Sequence, residues 1–264
     1  MVTGKTRVIS MLGHPIAQVK SPGNLNGRFE ATGQDVVVVP FDVGEGAVEA
    51  FFALHRRLEN NLGILVTVPY KQAAFAACDE TSPRARLLGA CNVVRREPDG
   101  RLVGDMVDGL GYLAALAANG VDPKGMDTLV VGGGGVGSAI ADALAGAGAR
   151  RVVVLEIDEA RRERLLAHLR RAYPGTAVGD VVEPGQRFGI IANATPLGMR
   201  AGDPLPLPAE RIDPDAFVTD VVTDPVTTPF LEAARSRGCG VQTGPEMTVP
   251  QAALFARYLG VPID

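Results

Sequence analysis

A glycine-rich segment is the part of this sequence whose residue types and spacing most directly suggest chemistry. Gly132, Gly134 and Gly137 follow a strand-like run, 129–131, and precede a helical run, 138–147. At this spacing the first glycine permits a tight turn, the second lets the backbone approach a pyrophosphate, and the third lets the helix pack against the strand. Free amides at the start of the helix then attract phosphate groups. A flexible turn is the alternative, but a strand and a helix flank the loop as a dinucleotide site requires. The residues predicted to bind a nicotinamide dinucleotide here are Gly132, Gly134, Gly135, Val136 and Gly137.

Glu156 bears on which dinucleotide binds. It ends the next strand-like run, about 20 residues beyond the loop, where an acidic side chain accepts hydrogen bonds from the adenosine ribose. The same carboxylate would repel a 2′-phosphate. Arg161 and Arg162 follow closely and could attract that phosphate instead, while Asp158 is predicted to cap the following helix. The sequence therefore favours NAD and leaves NADP as an alternative.

Polar residues also stand at the ends of strand-like runs nearer the N-terminus. Ser21 precedes Pro22, so a helix N-cap is its simplest role. The other polar residues of this kind are Thr67, Lys71, Asn92 and Asp108.

Taken in order, these segments resemble the shikimate dehydrogenase family. Its members carry a G-x-P-I-x-H-S-x-S-P opening, then N-V-T-V-P-[FY]-K, G-A-[VC]-N, G-D-N-T-D-G, a glycine loop, N-A-T-x-x-G and a terminal G-x-G-M-x-x-x-Q-[GA]. The matching segments lie in family order and cover most of the chain. They are 13–22, 66–71, 89–92, 104–109, 132–137, 193–198 and 244–252.

The resemblance implies an NAD(P)-dependent oxidoreductase that passes a hydride between a secondary alcohol carbon and the nicotinamide. It assigns acid/base catalysis to Lys71, with Asp108 as its paired carboxylate. Because a lysine has an ordinary pKa of about 10.4, either burial must lower that pKa or the charge must stabilise the developing alkoxide. The resemblance assigns substrate contacts to Ser21, Thr67, Asn92 and Gln251. It places Thr195, Val221 and Gly244 along the nicotinamide, although an ordinary core position is an equally simple reading of Val221.

Several positions depart from the family pattern. Val19, Met106 and Val107 stand where the family usually has polar residues, and Glu246 replaces a glycine. We expect these positions to line the substrate pocket, and loss of a hydroxyl there can cost a factor of roughly 10 or far more. Glu246 could favour a substrate that carries an amino group, since a partly buried carboxylate is best satisfied by a cation. The sequence thus predicts a divergent paralogue for which shikimate is a poor substrate.

Strand-like runs alternate with helical stretches along the chain, which predicts stacked βαβ units and parallel sheets. The predicted fold class is a two-domain α/β protein with a substrate-binding domain and a Rossmann doubly wound parallel-sheet dinucleotide domain. The substrate-binding domain is predicted to comprise 1–108, joined by a C-terminal helix within 243–264, and the dinucleotide domain 109–242. The predicted strands are 7–12, 35–41, 63–68, 129–131, 152–155, 188–192 and 217–222. The predicted helices are 48–58, 109–118, 138–147, 159–172 and 247–259.

The composition is that of an ordinary globular protein, with 264 residues, 46% of them hydrophobic, 21% charged and a net charge of −4. The absence of tryptophan and of a long basic run argues against a nucleic-acid-binding protein. No apolar run reaches membrane-spanning length and no signal pattern opens the chain. Three widely spaced cysteines and three dispersed histidines predict neither disulfides nor a metal site, and they favour the reducing cytoplasm. His55 and His168 lie in charged helical runs and are predicted to be solvated.

Two other functions stay open at this point. An enzyme of the methylene-tetrahydrofolate dehydrogenase type would share the tyrosine-plus-lysine region and the glycine loop, but not the Asn92 and Asp108 segments. A regulatory protein would bind a dinucleotide and a metabolite without turnover, although it would need neither Lys71 nor Asp108. The predicted partner is a small hydroxy acid such as shikimate, quinate or aminoshikimate, and a homodimer is left open.

Overall fold

The computed structural model describes residues 2–17 and 19–263, and these divide into two compact units. The first unit consists of residues up to Val107 together with those from Gln251 onward, and the second of Asp108–Pro250. Each unit has a six-stranded sheet. The predicted two-domain α/β class is confirmed. In the described part of the chain, no helix is both long and apolar enough to cross a membrane.

The first unit alternates strands and helices and then ends in a hairpin. Its strands are β1 (Arg7–Gly13), β2 (Val36–Asp42), β3 (Asn61–Val66), β4 (Glu80–Thr81), β5 (Val93–Arg96) and β6 (Leu102–Asp105). Its helices are α1 (Ser21–Ala31), α2 (Val48–His55), α3 (Lys71–Ala77) and α4 (Pro83–Leu88). The spatial order of the strands is β2-β1-β3-β5-β6-β4.

One strand of this sheet runs against the others. β5 pairs antiparallel with both β3 and β6, whereas β1 pairs parallel with β2 and β3. A tight turn reverses the chain between β5 and β6, and Gly100 has a φ of 87° there, which favours glycine. The three strands predicted in this unit correspond to β1, β2 and β3 and pair in parallel, whereas the antiparallel strand β5 was not predicted. The reversal places the start of β5 at the same edge of the sheet as the ends of β3 and β6.

The core of the first unit packs α1 and the C-terminal helix against this sheet. Ile9, Phe29, Leu65 and Val107 share one buried cluster with Phe255. Burial of each such side chain contributes roughly 1.5–3 kcal/mol to folding. The C-terminal helix, α9 (Gly244–Tyr258), therefore covers the sheet of the first unit through the part that follows Pro250.

The second unit is a parallel doubly wound sheet, as predicted. Its strands are β7 (Asp127–Val131), β8 (Arg151–Leu155), β9 (Ala177–Gly179), β10 (Ile190–Asn193), β11 (Phe217–Asp220) and β12 (Gly240–Gln242). Its helices are α5 (Asp108–Ala118), α6 (Gly135–Gly146), α7 (Glu159–Ala172) and α8 (Pro229–Ser236). The order β12-β11-β10-β7-β8-β9 reverses direction at β7, where the glycine loop begins. Ligands bind at such switch points in open α/β sheets.

Residues 243–250 belong to the second unit, although the sequence places them with the first. Met247 is buried in a cluster with Tyr112, Val130 and Ile140, which explains the difference. The first half of α9 is thus packed in one unit and the second half in the other, with the division at Pro250 inside the helix.

The expectation that His55 and His168 are solvated is wrong. His55 is 2% exposed and hydrogen-bonds Ser10 Oγ through Nε2 at 2.7 Å and the Phe51 carbonyl through Nδ1 at 2.6 Å. His168 is 7% exposed, and its Nε2 lies 2.9 Å from Asp142 Oδ1. Ser10 and Asp142 are both far from their histidines in the chain, so local charge did not reveal either contact.

Stability of the protein is expected to fall as the pH drops from 7 to 5. Burial lowers the pKa of His55 from its ordinary value of 6.5, although the Phe51 carbonyl opposes the shift. Because the unfolded chain binds a proton more readily, the contribution of neutral His55 is complete above about pH 6.5 and is lost below it. Urea unfolding at each pH measures this loss. A His55→Gln variant should show a flatter profile, and an unchanged profile in this variant would refute the assignment.

Candidate functional site

Three consecutive glycines, Gly132, Gly133 and Gly134, connect β7 to α6, so the backbone of this loop carries no side chains. Gly132 has a φ of 98°, and Gly134 occupies the N-cap position of α6. A Cβ on Gly137 would lie 1.9 Å from the carbonyl oxygen of Gly132, so only glycine permits this contact of helix and loop. A Cβ on Gly134 would meet nothing within 4 Å. The loop therefore leaves open space beside the start of α6, where its backbone amides can receive a pyrophosphate.

Two substitutions in the loop are expected to separate folding from cofactor binding. Gly137→Ala should destabilise the second unit by roughly 1–3 kcal/mol because its Cβ collides with backbone. Gly134→Ala should keep the unfolding midpoint yet weaken dinucleotide binding about tenfold or more, equivalent to about 1.4 kcal/mol, since its Cβ enters the phosphate space. Thermal unfolding and calorimetric titration with NAD measure the two effects. Full cofactor affinity in Gly134→Ala would show that the phosphates bind elsewhere.

Glu156 is held firmly beside the loop. One carboxylate oxygen accepts a hydrogen bond of 2.6 Å from Gly133 N–H and the other one of 2.9 Å from Asp158 N–H, while Arg161 Nη1 lies 3.5 Å away. Burial opposes ionisation of Glu156, but these amides and Arg161 outweigh it and hold the pKa of the carboxyl below its usual range. Asp158 caps α7 by accepting from Arg161 N–H, as predicted. Glu156 is thus a charged carboxylate at the C-terminal end of β8.

Thr195, Val221 and Gly244 come together at the ends of β10 and β11. Thr195 donates to Asn193 Oδ1 at 2.7 Å, and Val221 N–H donates to the carbonyl of Asn193 at 3.1 Å. Gly244 packs so tightly that a Cβ there would lie 2.1 Å from the carbonyl oxygen of Val222. These three residues share one end of the parallel sheet with the glycine loop.

Asn193 and Asp220 form a buried network under this end of the sheet. Asn193 Nδ2 donates to Asp220 Oδ1 at 3.1 Å, and Thr228 Oγ1 donates to Asp220 Oδ2 at 2.7 Å. Burial raises the pKa of Asp220 in spite of these bonds. The network orients Thr195, and sequence reasoning missed Asp220 because its partners lie 27 and 8 positions away in the chain.

Thr67, Lys71 and Asn92 lie together at the edge where β3 ends and β5 begins. Val66 N–H donates to the Asn92 carbonyl at 2.8 Å, and Cys91 N–H donates to the Lys71 carbonyl at 2.9 Å. Lys71 is the first residue of α3 and is half-buried, while Asn92 is 1% exposed. The side chain of Asn92 accepts a hydrogen bond from Val107 N–H at 2.9 Å. The reversed strand β5 is what brings Asn92 beside Thr67 and Lys71.

The remaining candidate residues lie on three helices, α1, α5 and α9. Asp108 is 4% exposed and begins α5 in the second unit, three positions after β6 ends. Ser21 lies in the first turn of α1, but Lys20 holds the N-cap position, so the capping role considered for Ser21 is wrong. Gln251 lies on α9, within the first unit.

The positions that depart from the family pattern have structural roles. Met106 is 1% and Val107 2% exposed, and Val107 belongs to the core cluster of the first unit, so the expectation that they line a pocket is wrong. Glu246 accepts hydrogen bonds from Thr243 N–H at 2.7 Å and Thr243 Oγ1 at 2.6 Å, which closes the start of α9. A substrate amine is therefore not needed to satisfy Glu246. Val19 is half-buried against the same core, and the neighbouring Gln18 lies outside the described residues.

Asp105 is a residue of this region that sequence reasoning did not single out. It is buried, pairs with Arg84 and Ser82, and accepts from Met106 N–H at 2.7 Å, while its carbonyl accepts from Asn92 N–H at 2.9 Å. Asp105 thus fixes both Asn92 and the turn that leads to Asp108. The only signal in the sequence was an acidic residue at the end of an apolar strand.

Comparison with known proteins identifies the family. The model of the shikimate dehydrogenase substrate-binding domain matches residues 11–94. The shikimate dehydrogenase (NADP(+)) of Rubrobacter xylanophilus is 37% identical over 100% of this chain and 94% of its own length. Among solved structures, shikimate 5-dehydrogenase from Listeria monocytogenes in complex with shikimate and NAD has a TM-score of 0.89 at 30% identity, covering 100% of this chain and 96% of that one. The 5-ketofructose reductase of a Gluconobacter strain also has a TM-score of 0.89, at 25% identity, covering 99% and 96%. The chain belongs to the shikimate dehydrogenase family.

Proposed function

We propose that the protein is an NAD(P)-dependent dehydrogenase that interconverts a cyclic hydroxy acid, such as shikimate or quinate, and its keto form. The observation that carries the proposal is the meeting of Thr67, Lys71 and Asn92 at one sheet edge of the first unit. The second unit supports it with a glycine loop whose open space and helix amides suit a pyrophosphate. Full-length relatives named as shikimate dehydrogenases support the same reaction class.

Lys71 is the proposed acid/base group. The nicotinamide, when bound, supplies the acceptor for a hydride from the substrate carbon. As the carbonyl forms, the substrate hydroxyl proton passes to Lys71 Nζ, and in the reverse direction Lys71 returns it. Asp108 is the proposed carboxylate partner that orients the ammonium. Ser21, Thr67, Asn92 and Gln251 are the proposed hydrogen-bonding groups for the substrate carboxylate and ring hydroxyls.

All the residues proposed to bind the cofactor belong to the second unit. Gly132, Gly134, Gly135, Val136 and Gly137 are the proposed pyrophosphate site, and Glu156 is the proposed partner of the adenosine ribose. Thr195, Val221 and Gly244 are proposed to lie along the nicotinamide. We propose NAD as the preferred cofactor because Glu156 is charged and fixed by two backbone amides.

Turnover of a substrate panel tests the reaction class. Shikimate, quinate, aminoshikimate and 5-ketofructose are each offered with NAD(H) and NADP(H), and the absorbance of the reduced nicotinamide is followed. We expect turnover with a cyclic hydroxy acid. Activity with 5-ketofructose alone would instead favour a ketose reductase, and stoichiometric binding without turnover would favour a regulatory protein.

Val19→Ser tests whether the opening segment contacts the substrate carboxylate. If it does, the added hydroxyl should lower the KM for shikimate about tenfold with little change in kcat, because carboxylate binding is shared by ground and transition states. Val2→Ser, at an exposed position, is the matched control. An unchanged KM in Val19→Ser would exclude this position from the substrate site.

We propose a cytoplasmic enzyme, supported by free thiols at Cys78, Cys91 and Cys239. Light scattering of the purified chain distinguishes a monomer from a homodimer.

A further inference from the structure

Two cysteines that are distant in sequence meet next to the proposed catalytic lysine. Cys78 follows the last turn of α3, and Cys91 lies two residues before the start of β5. Both sulfur atoms converge on Gly104 of β6: a Cβ built on that glycine would lie 2.5 Å from Cys91 Sγ and 2.6 Å from Cys78 Sγ. The missing side chain of Gly104 is therefore what makes room for the two thiols. From these contacts we infer that Cys78 and Cys91 form a reversible disulfide on exposure to a hydroperoxide, and that this disulfide switches off turnover at Lys71.

The two thiols differ in a way that suits stepwise oxidation. Cys91 is fully buried, whereas Cys78 is half-buried and donates its thiol proton to the Ala74 carbonyl at 3.1 Å. The neighbouring Cys78 thiol and burial hold the pKa of Cys91 far above its usual range. Of the two, Cys78 is therefore the residue open to a peroxide in solvent, and Cys91 keeps its proton until that proton passes to the sulfenic oxygen.

One hydroperoxide molecule oxidises the two thiols, Cys78 and Cys91, to one disulfide. Cys78 sulfur, as the thiolate, attacks a peroxide oxygen, so that an S–O bond forms, the O–O bond breaks and hydroxide leaves as water after protonation. Cys91 sulfur then attacks Cys78 sulfur, an S–S bond forms, and the sulfenic oxygen leaves as water with the Cys91 proton. Two thiols lose two electrons, and the peroxide gains them.

Helix α3 connects this disulfide to the proposed active site. α3 has seven residues, with Lys71 at its start and Cys78 immediately after its end. Its start is held by the hydrogen bond from Cys91 N–H to the Lys71 carbonyl, so Cys91 already contacts the backbone of the lysine. A disulfide bond is only about 2.05 Å long, shorter than any contact between thiols, so its formation draws the end of α3 toward β5. A shift of about 1 Å in a reacting group can lower a rate about 100-fold.

The test uses the full-length protein treated with hydrogen peroxide and then with dithiothreitol. We expect the free thiols to fall from three to one per chain, a peptide pair linked through Cys78 and Cys91 in mass spectrometry, and a loss of turnover of at least about tenfold that dithiothreitol reverses. Cys239→Ser, which removes the cysteine of the second unit, should behave as the wild type does. Cys78→Ser should form no linked pair and should resist reversible inactivation.

Cys91→Ala provides a second variant in case serine at position 78 perturbs the buried contact, and it should likewise form no linked pair. The proposal is overturned if oxidation links no Cys78–Cys91 pair, if the pair forms without loss of turnover, or if Cys239→Ser removes the effect. The effect on turnover depends on the proposed function, but thiol counts and linked peptides do not. A linked pair in a protein without dehydrogenase activity would therefore refute the proposed function and the switch while leaving the disulfide established.

Discussion

Replacement of Lys71 by alanine is expected to lower kcat about 100-fold or more while the dissociation constant for NAD stays nearly the same. General acid/base assistance is felt in the transition state, and Lys71 belongs to the first unit whereas the glycine loop belongs to the second. Steady-state kinetics and calorimetric titration measure the two quantities. Lys124→Ala, at an exposed lysine of the second unit, should leave both unchanged.

Lys71→Arg distinguishes a base from a fixed positive charge. Arginine keeps the charge but does not release its proton in proteins, so turnover should stay low in this variant if Lys71 moves a proton. Recovery of turnover in Lys71→Arg would mean that the charge only stabilises the developing alkoxide. Wild-type turnover in Lys71→Ala would remove Lys71 from the mechanism altogether.

Exchange of Glu156 for glutamine is expected to reduce the preference for NAD over NADP at least about tenfold, equivalent to about 1.4 kcal/mol. The carboxylate is ionised at neutral pH and would repel a 2′-phosphate, whereas glutamine has nearly the same shape and can still accept from Gly133 N–H. Titration of both cofactors into the two proteins measures the change.

The control for this exchange is Glu159→Gln, which removes an exposed charge three positions further along the same segment. It should leave the preference intact. Equal or tighter binding of NADP by the wild-type protein, in line with the cofactor in the name of the Rubrobacter relative, would show that Arg161 or Arg162 governs this end of the site.

The second unit was more predictable from the sequence than the first. The bounds predicted for α7 agree with the structure at both ends, since Asp158 caps its start and its apolar residues recur at helical spacing. Strands β7, β8, β10 and β11 of that sheet are buried and largely apolar, as a parallel sheet requires. The sequence did not predict β4, β5 and β6 of the first unit, or β9 and β12 of the second. Each has two to four residues, and such short runs are not distinguishable from turns.

Within the candidate site, too, the sequence predicted only features that depend on spacing along the chain. The glycine loop and Glu156 were found because their functions depend on spacing along the chain. The contacts of His55 with Ser10, and of Cys78 with Cys91, depend instead on strands and helices that meet only in the folded unit. Met106 and Val107 were assigned to a pocket for the same reason, because a motif places residues in order but does not say which way they face.

The integrity of the site depends on the register of one reversed strand, β5. Val93 lies opposite Leu65 on one side and Asp105 on the other, so Asn92 is placed by two pairings at once. A slip of one residue would turn every side chain of β5 to the opposite face and break the hydrogen bond from Val107 N–H to the side chain of the adjoining Asn92. Partly ordered chains should therefore be inactive rather than weakly active. In a thermal or urea series, turnover should disappear together with the pairing of β3, β5 and β6. The turnover assay therefore also reports whether β5 holds its native register.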